Sequence, residues 1–536
     1  MHFDPLQPTQ TPYRAPVYAN KGMVATSQPL AAQAGLEILK RGGNAIDGAI
    51  AAAAALTVLE PCSNGIGGDA FALVWSQGKL HGLNASGPAP AAITIEEVRS
   101  KGYDRMPMHG PIPVTVPGAP SAWAELAKTF GRLPLAETLK PAIRYAEEGY
   151  PVSPVTAFYW QRSFELYKKE LQEEYGRHWF DTFAPNGSAP AAGEVWRSAD
   201  MAASLRSIAE SDAEDFYRGE LAGKISAFMT KIGGFLAKED LARFRPEWVE
   251  PISVSYRGYE VWEIPPNGQG LVALLALNIL KGFDRLEAHT ADTYHLQIEA
   301  MKLAFADGFH YITDPSRMSV KVQDLLSETY GASRREGIAF TAIEPKAGRP
   351  PSGGTVYLAA ADGDGNMISY IQSNYKGFGS GLVVPGTGIA LQNRGSEFSL
   401  DPQHANRLEP GKKTYHTIIP GFLTKGGKPI GPFGVMGGYM QPQGHVQAIM
   451  NTIDFHLHPQ AALDAPRWQW TGGKTVMVEP HFPLAAVQAL ARRGHDIRIS
   501  LEASSFGRGQ IIWKDEKSGV LCGGTDSRAD GTVAAW

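Results

Sequence analysis

The segment Ser352-Gly353-Gly354-Thr355-Val356-Tyr357 offers two readings. One is a glycine loop that leads into a strand. The other is a nucleophile that becomes active when the chain is cut before Thr355. A threonine at a new N-terminus carries its own base, because the freed α-amine has an unperturbed pKa of about 7.7–8.0, close to working pH. That amine accepts the hydroxyl proton as the oxygen attacks a carbonyl. While the bond is intact the nitrogen is an amide and no base, so the uncut chain would be a zymogen. Gly354 has no Cβ, which opens its carbonyl to the Thr355 hydroxyl and tolerates the backbone angles that self-cleavage needs.

Other candidate motifs have structural explanations. The sequence holds neither a G-x-S-x-G elbow nor an H-E-x-x-H helix. Asp362-x-Asp364-x-Asn366 begins like a calcium loop, but Met367 stands at the sixth position and Ser373 at the twelfth, so a hairpin turn is expected. Ser76-x-x-Lys79 matches a serine-lysine pair in letters and sits in a second expected hairpin turn. Asp454, His456 and His458 would share one face of a strand and could hold a metal. The following Pro459 makes a helix end with surface histidines the safer reading.

The elements that must position Thr355 are local patterns. Residues 29–59 read as two helices broken at Arg41-Gly42-Gly43-Asn44, with glycine closing the first and Asn44 capping the second. Pro61 to Gly68 is a Gly-rich turn, and Phe71–Trp75 with Leu80–Leu83 reads as a hairpin. Residues 119–150, 197–246 and 289–308 have helical spacing. Val356–Ala361 and Met367–Ser373 are strands about the Asp362–Asn366 turn, with further strands at 382–392, 417–424 and 432–436. Helices return near 444–456 and 484–494. Helices on both sides of a strand-rich centre imply sheets layered between helices.

Composition narrows the function classes. A net charge of −4 with no long basic block gives nucleic-acid binding little electrostatic support. Two cysteines, Cys62 and Cys522, cannot make a disulfide framework and suit a reducing compartment. The longest apolar stretch, Ala49 to Leu59, is too short for a bilayer, which takes about 20 residues. The first residues lack a basic segment followed by an apolar one, so no secretory signal is expected. The expectation is a cytoplasmic protein without a membrane anchor. No period of about 20–50 residues recurs, which argues against a repeat architecture.

Several segments together resemble the γ-glutamyltransferase family. They are Thr355-Val-Tyr-Leu-Ala-Ala-Ala-Asp362 with Gly365-Asn366, Phe378-Gly379-Ser380-Gly381, Gly386-Thr387-Gly388-Ile389, Asn393, Phe398-Ser399, Gly437-Gly438 and Thr525-Asp526-Ser527-Arg528. Upstream, Gly42-Gly43-Asn44-Ala45-Ile46-Asp47 and Glu60-Pro61 through Gly68 match the family's large subunit. Within the family the chain looks closest to the cephalosporin-acylase-like branch and is also similar to oxamate amidohydrolases. The resemblance implies an α+β fold, the four-layer αββα sandwich of N-terminal-nucleophile hydrolases. It implies a precursor cut between Gly354 and Thr355 into a large subunit, 1–354, and a small subunit, 355–536, that interlock as one unit and could pair further. No cofactor or metal is implied.

The resemblance also assigns roles. Thr355 takes the nucleophile position, and Ser373 stands where the family has a threonine that hydrogen-bonds the nucleophile. Gly437 and Gly438 match the pair whose N–H groups form the oxyanion hole, a role that suits preorganised backbone donors. The substrate contacts depart from the family. The arginine that grips the α-carboxylate falls near Ile95, and the Ser-Ser pair becomes His416-Thr417. The amine-binding positions become Tyr375, Arg394 and Glu397. Arg394 either accepts a carboxylate bidentately or pairs with Glu397. The stretch from Phe398 to His416 is shorter than the family's, which implies a reduced lid and an open site. The expected activity is hydrolysis of γ-glutamyl amides such as glutathione through an acyl-Thr355 intermediate, with water or an amino acid as acceptor. The alternatives are a glutaryl or aminoadipyl cephalosporin acylase, an oxamate-type amidohydrolase, and, remotely, a non-catalytic binding protein on the same fold.

Overall fold

A computed structural model describes residues 14–284, 286–345 and 355–536. Gly354 lies outside the described residues, so the expected cleavage site is described on its Thr355 side alone.

Local chemistry starts the fold correctly. Helix α1 (Pro29–Lys40) and helix α2 (Ala45–Leu59) meet at the Gly42-Gly43 break, with Gly42 at φ +99°. Asn44 Oδ1 accepts the N–H groups of Ile46 and Asp47 at 3.0 and 3.1 Å, and Asp47 Oδ2 accepts the Asn44 N–H at 2.9 Å. This reciprocal capping box fixes where α2 begins. Every residue of α2 is buried, as its alanine-rich sequence allows. A Cβ on Gly35 of α1 would lie 2.7 Å from the Gly48 carbonyl, so glycine lets the two helices close up.

Fourteen strands form two sheets of seven. They are β1 (Val17–Ala19), β2 (Gly22–Thr26), β3 (Asp69–Ser76), β4 (Lys79–Ala85), β5 (Glu247–Val249), β6 (Ile252–Tyr256), β7 (Tyr259–Glu263), β8 (Val356–Asp362), β9 (Met367–Ser373), β10 (Gly421–Lys425), β11 (Lys428–Met436), β12 (Arg508–Lys514), β13 (Leu521–Thr525) and β14 (Thr532–Ala535). One sheet runs β14-β2-β8-β9-β3-β4-β5, the other β1-β13-β12-β11-β10-β7-β6. Helices α1 and α2 cover the first sheet on its outer side. Helices α3 (Gly270–Leu280), α4 (Ala291–Tyr311) and α5 (Met440–Ile453) lie beyond the second, and β8 and β9 face β11 across the middle. This is the expected four-layer αββα sandwich.

Residues on the two sides of position 355 interleave in both sheets. Strand β2 lies between β14 and β8, pairing Met23 with Ala535 and Leu358 with Thr26. Neither segment could hold its sheet order without the other. Asp362 joins a turn to a helix. Its Oδ1 accepts the N–H groups of Asp364 and Asn366, and its Oδ2 accepts the Ala45 N–H at the start of α2. The calcium-like motif is therefore a hairpin turn whose acid also sits at a helix N-terminus. Ser76 and Lys79 flank the β3–β4 hairpin turn as expected. Asp454 ends α5, where Tyr256 and Arg257 donate to it, and His458 caps the next short helix. Among the described residues, no helix is long and apolar enough to cross a membrane.

Candidate active site

Thr355 stands one residue before β8, directly beside Ser373 at the end of β9, and is 1% exposed. Its Oγ1 donates to Ser373 Oγ at 3.1 Å. Ser373 is paired in turn with Asp69, the first residue of β3. Opposed residues of antiparallel strands project to one face. Thr355, Ser373 and Asp69 thus form a row across three strands, with Tyr357 on the same face reaching Ser369 Oγ and covering Gly434 of the facing sheet.

A chain of contacts leads from this row. The N–H of Tyr375 donates to Ser373 Oγ at 2.8 Å, holding Tyr375 at φ +77°, a backbone state rare for an aromatic residue. The Tyr375 hydroxyl donates to Glu397 Oε1, and the Tyr439 hydroxyl donates to Glu397 Oε2. Tyr439 directly follows Gly437-Gly438. Burial, then the Glu397 charge, raises both tyrosine pKa values well above the usual range, so the hydroxyls stay protonated.

The glycine pair leaves β11 with φ values of +135° and +62°, and its carbonyls accept the N–H groups of Met440 and Gln441 at 3.1 Å each. Among the described residues, no backbone carbonyl takes up the N–H of Gly437 or Gly438. Gln269 Nε2 fixes the turn by donating to the Gly438 carbonyl at 2.9 Å and to the Thr417 carbonyl at 2.6 Å.

Arg394 is completely buried. Its Nη1 donates to Thr417 Oγ1 at 2.8 Å, and its Cζ stands 4.2 Å from the Tyr375 ring centroid. Its Nε and Nη2 have no hydrogen-bond partner among the described residues. The expected option of an Arg394–Glu397 ion pair is not realised, because the two tyrosine hydroxyls hold Glu397. Lys376 Nζ lies 5.1 Å from the same Tyr375 ring centroid, and burial lowers its pKa to about 8.

His416, expected to contact substrate, has protein partners at both ring nitrogens. Its Nδ1 accepts the Ile418 N–H at 3.3 Å, which leaves the proton on Nε2 to be donated to Asp69 Oδ2 at 3.0 Å. Burial, with Arg394 and Lys413 nearby, holds His416 well below the usual histidine range, so this is a neutral hydrogen bond and not an ion pair. Asp69 Oδ1 accepts Gln392 Nε2 at 2.9 Å and the Gly87 N–H at 3.1 Å. Burial pushes the Asp69 carboxyl up to about 7, and Gln392, Arg394 and Gly87 oppose that rise.

Two further segments bear on the site. Ile95 begins a short helix and packs in a small cluster around Ile93, Val98 and Leu400, so it offers the site nothing. The shortened 398–416 stretch is packed down onto the protein. Phe398, Leu400 and Leu408 pin it to that same cluster, and Tyr375, Tyr415 and Tyr439 are buried about Glu397. A surface hollow of about 590 Å³, lined by Asp240, Arg243, Asp314 and Lys413 among others, does not include Thr355 in its lining. Asp69, Gln269 and Tyr439 escaped the sequence reading. The local signal for Asp69 and Tyr439 was their position immediately after glycine pairs at strand ends.

Buried His295, Glu299 and His495 come close enough to hold a metal ion. However, Lys302 Nζ already donates to Glu299 Oε1 at 2.8 Å, and His295 Nδ1 lies 2.8 Å from His495 Nε2. A buried ammonium beside the one carboxylate opposes a further cation, so the cluster is a structural hydrogen-bond network.

A buried threonine at a strand start, a hydroxyl beside it and a glycine turn whose N–H groups meet no backbone carbonyl among the described residues fit an N-terminal-nucleophile amide hydrolase. The Gamma-glutamyltranspeptidase family model matches residues 31–536, and the chain belongs to that family. It is 39% identical to the glutathione hydrolase-like YwrD proenzyme of Bacillus subtilis over 528 residues, covering 96% of this chain and 99% of that protein. It is 34% identical to the oxamate amidohydrolase proenzyme of Klebsiella pneumoniae, covering 96% and 98%. Among solved structures, the cephalosporin acylase from Bacillus halodurans superposes with a TM-score of 0.98 at 67% identity, covering 100% and 99%.

Proposed function

We propose that the Gly354–Thr355 bond is cut by the chain itself and that Thr355 then hydrolyses acyl amides through an acyl-threonine intermediate. The observation that carries this reading is the 3.1 Å hydrogen bond from Thr355 Oγ1 to Ser373 Oγ at a buried strand start. The freed α-amine takes the hydroxyl proton as Oγ1 attacks the amide carbon, then delivers it to the departing nitrogen. The N–H groups of Gly437 and Gly438 stabilise the tetrahedral oxyanion. Water, or an amino acid acting as acceptor, then releases the acyl group. The products of cleavage are a large subunit of 354 residues and a small one of 182, interlocked as a heterodimer by the shared sheets. Unpaired Cys62 and Cys522 support work in the cytoplasm.

The γ-glutamyl group of compounds such as glutathione is the acyl group suggested by the family. A second reading, glutaryl or oxamate-type amides, which bring no ammonium, is favoured by Glu397, whose oxygens already accept two tyrosine hydroxyls where an amino acid's ammonium would be held. Hydrolysis of γ-glutamyl- and glutaryl-p-nitroanilide by the wild type and by Thr355→Ala tests the reaction. Release of p-nitroaniline by Thr355→Ala at the wild-type rate would sink it.

A further inference from the structure

A small sheet outside the two large ones ends on an open strand. It pairs Trp468–Gly472 with Thr475–Val478, and Thr475–Val478 in parallel with Asp496–Ile499. Helix Leu484–Arg492 makes the crossover between the parallel strands, and Val476, Val478 and Ile497 pack into the core on that side. Among the described residues no strand lies beyond Asp496–Ile499. The N–H groups of Asp496 and Ser500 donate inward, to the carbonyls of Lys474 and Val478 at 2.9 and 3.0 Å. Alternation along the strand therefore turns the N–H and C=O groups of Ile497 and Ile499 outward.

Such an edge is a template for another strand, and proteins normally shorten, charge or cover it. Here exposed apolar side chains gather around it. Leu501 is 88% exposed and Ile499 59%, at the end of the strand. Leu484, 66% exposed, opens the crossover helix, whose N-terminus lies at that same end because the helix runs back against the parallel strands. At the other end Phe340, 76% exposed, lies against Arg493, whose Cζ is 4.7 Å from the ring centroid. Exposed apolar groups clustered in this way mark a contact surface.

The charges on the strand select its partner. Asp496 and Arg498 share one face, and Arg498 Nη2 donates to Asp496 Oδ2 at 2.8 Å. Antiparallel pairing of this strand with a copy of itself about Ile497 sets Asp496 opposite the second copy's Arg498, and Arg498 opposite the second copy's Asp496. The four charges then alternate in sign across the two strands. Pairing about Arg498 would oppose two arginines, and pairing about Ile499 would oppose Asp496 to Glu502, both unfavourable. Pairing about Ile497 also carries Leu501 toward the second copy's Phe340.

We propose that this edge is a docking surface for a second copy of the chain. Two Asp496–Ile499 strands pair antiparallel about Ile497 and join the two small sheets into one, a two-fold interface in which each copy offers the same patch. The proposal does not rest on the role given to Thr355.

Light scattering after size-exclusion chromatography tests it, together with turnover and melting temperature of the same samples. The wild type at micromolar concentration should show twice the 57.8 kDa of one chain. Asp496→Lys and Arg498→Asp each put like charges opposite one another at two symmetric places, and should weaken the dimer by on the order of 10- to 100-fold in Kd. The double variant Asp496→Lys/Arg498→Asp reverses every sign and should restore it. Leu501→Lys should weaken it without touching the charges. Hydrogen exchange supplies a reading free of substitution, since the 496–501 segment should be protected in concentrated wild-type samples and lose that protection on dilution. A wild type that stays at the mass of one chain would overturn the proposal. So would a dimer that the two single charge variants leave intact, a double variant no tighter than they are, or exchange of 496–501 that ignores concentration.

Discussion

Replacing Ser373 by alanine probes the contact on which the nucleophile depends. Ser373 Oγ accepts from Thr355 Oγ1 at 3.1 Å and from the Tyr375 N–H at 2.8 Å, and it is fully buried. The substitution removes the acceptor that aims the nucleophile and leaves the Tyr375 N–H without its partner. An unsatisfied buried group costs about 1–3 kcal/mol. If that loss falls on the transition state, it corresponds to a decrease of roughly 5- to 150-fold in kcat/KM. Formation of the small subunit should slow as well, because the same hydroxyl would attack the Gly354 carbonyl. Ser373→Thr keeps an oxygen at the position and should retain both activities to within about fivefold. The assay pairs p-nitroanilide turnover with a gel time course of newly made chain. Turnover and processing in Ser373→Ala within twofold of the wild type would refute the role given to this hydrogen bond.

Other residues allow equally direct checks. Gly437→Ala places a side chain at φ +135° with its Cβ 3.0 Å from Gly507 Cα, and should lower kcat by on the order of 100-fold with little change in KM. An unchanged kcat would remove that turn from the oxyanion hole. Asp69 is held up at about 7 against an ordinary 3.8, so the folded state binds its proton more tightly than the unfolded chain. Its stabilising contribution is therefore present below about pH 4 and is lost as pH rises toward and through 7, amounting to roughly 4 kcal/mol. Asp69→Asn should flatten this part of the stability profile, read as the difference in melting temperature between wild type and variant at pH 5 and pH 8. A difference that does not change with pH would contradict the buried, proton-holding Asp69. The buried Arg467–Asp526 pair, at 2.7 Å, predicts that Asp526→Asn destabilises the protein by about 3–5 kcal/mol, measurable as a lower melting temperature.

Local devices were legible in the sequence and long-range ones were not. The Gly42-Gly43-Asn44 break, the two hairpin turns and strands β8 and β9 depend on neighbours a few residues apart, and each formed as read. Helix α3 was missed because Gly270–Leu280 is apolar on every side and has no period to separate a buried helix from a buried strand. The strands near both ends were missed because β1 and β2 are short and β13 contains Gly523 and Gly524. β1 pairs with β13 and β2 with β14, from opposite ends of the chain. Thr355 could be named from its Gly-Gly-Thr strand start and Ser373 from the family resemblance, and a hairpin turn sets the two opposite one another. Asp69 joins them by a β3–β9 pairing across some 300 residues, which no local pattern announces. The His416–Asp69 contact was illegible for the same reason, since the two are 347 positions apart.

The central claim is that Thr355 becomes a chain terminus and then acts as the nucleophile. Denaturing electrophoresis of the purified protein, with N-terminal sequencing of the smaller band, tests it most directly. Of the 57.8 kDa chain, fragments of about 38 and 20 kDa are expected by proportion to length. The smaller should begin Thr-Val-Tyr-Leu, and Thr355→Ala should remain one band without activity. An active wild-type protein that stays a single uncut chain, or a small fragment that begins at another residue, would contradict the account.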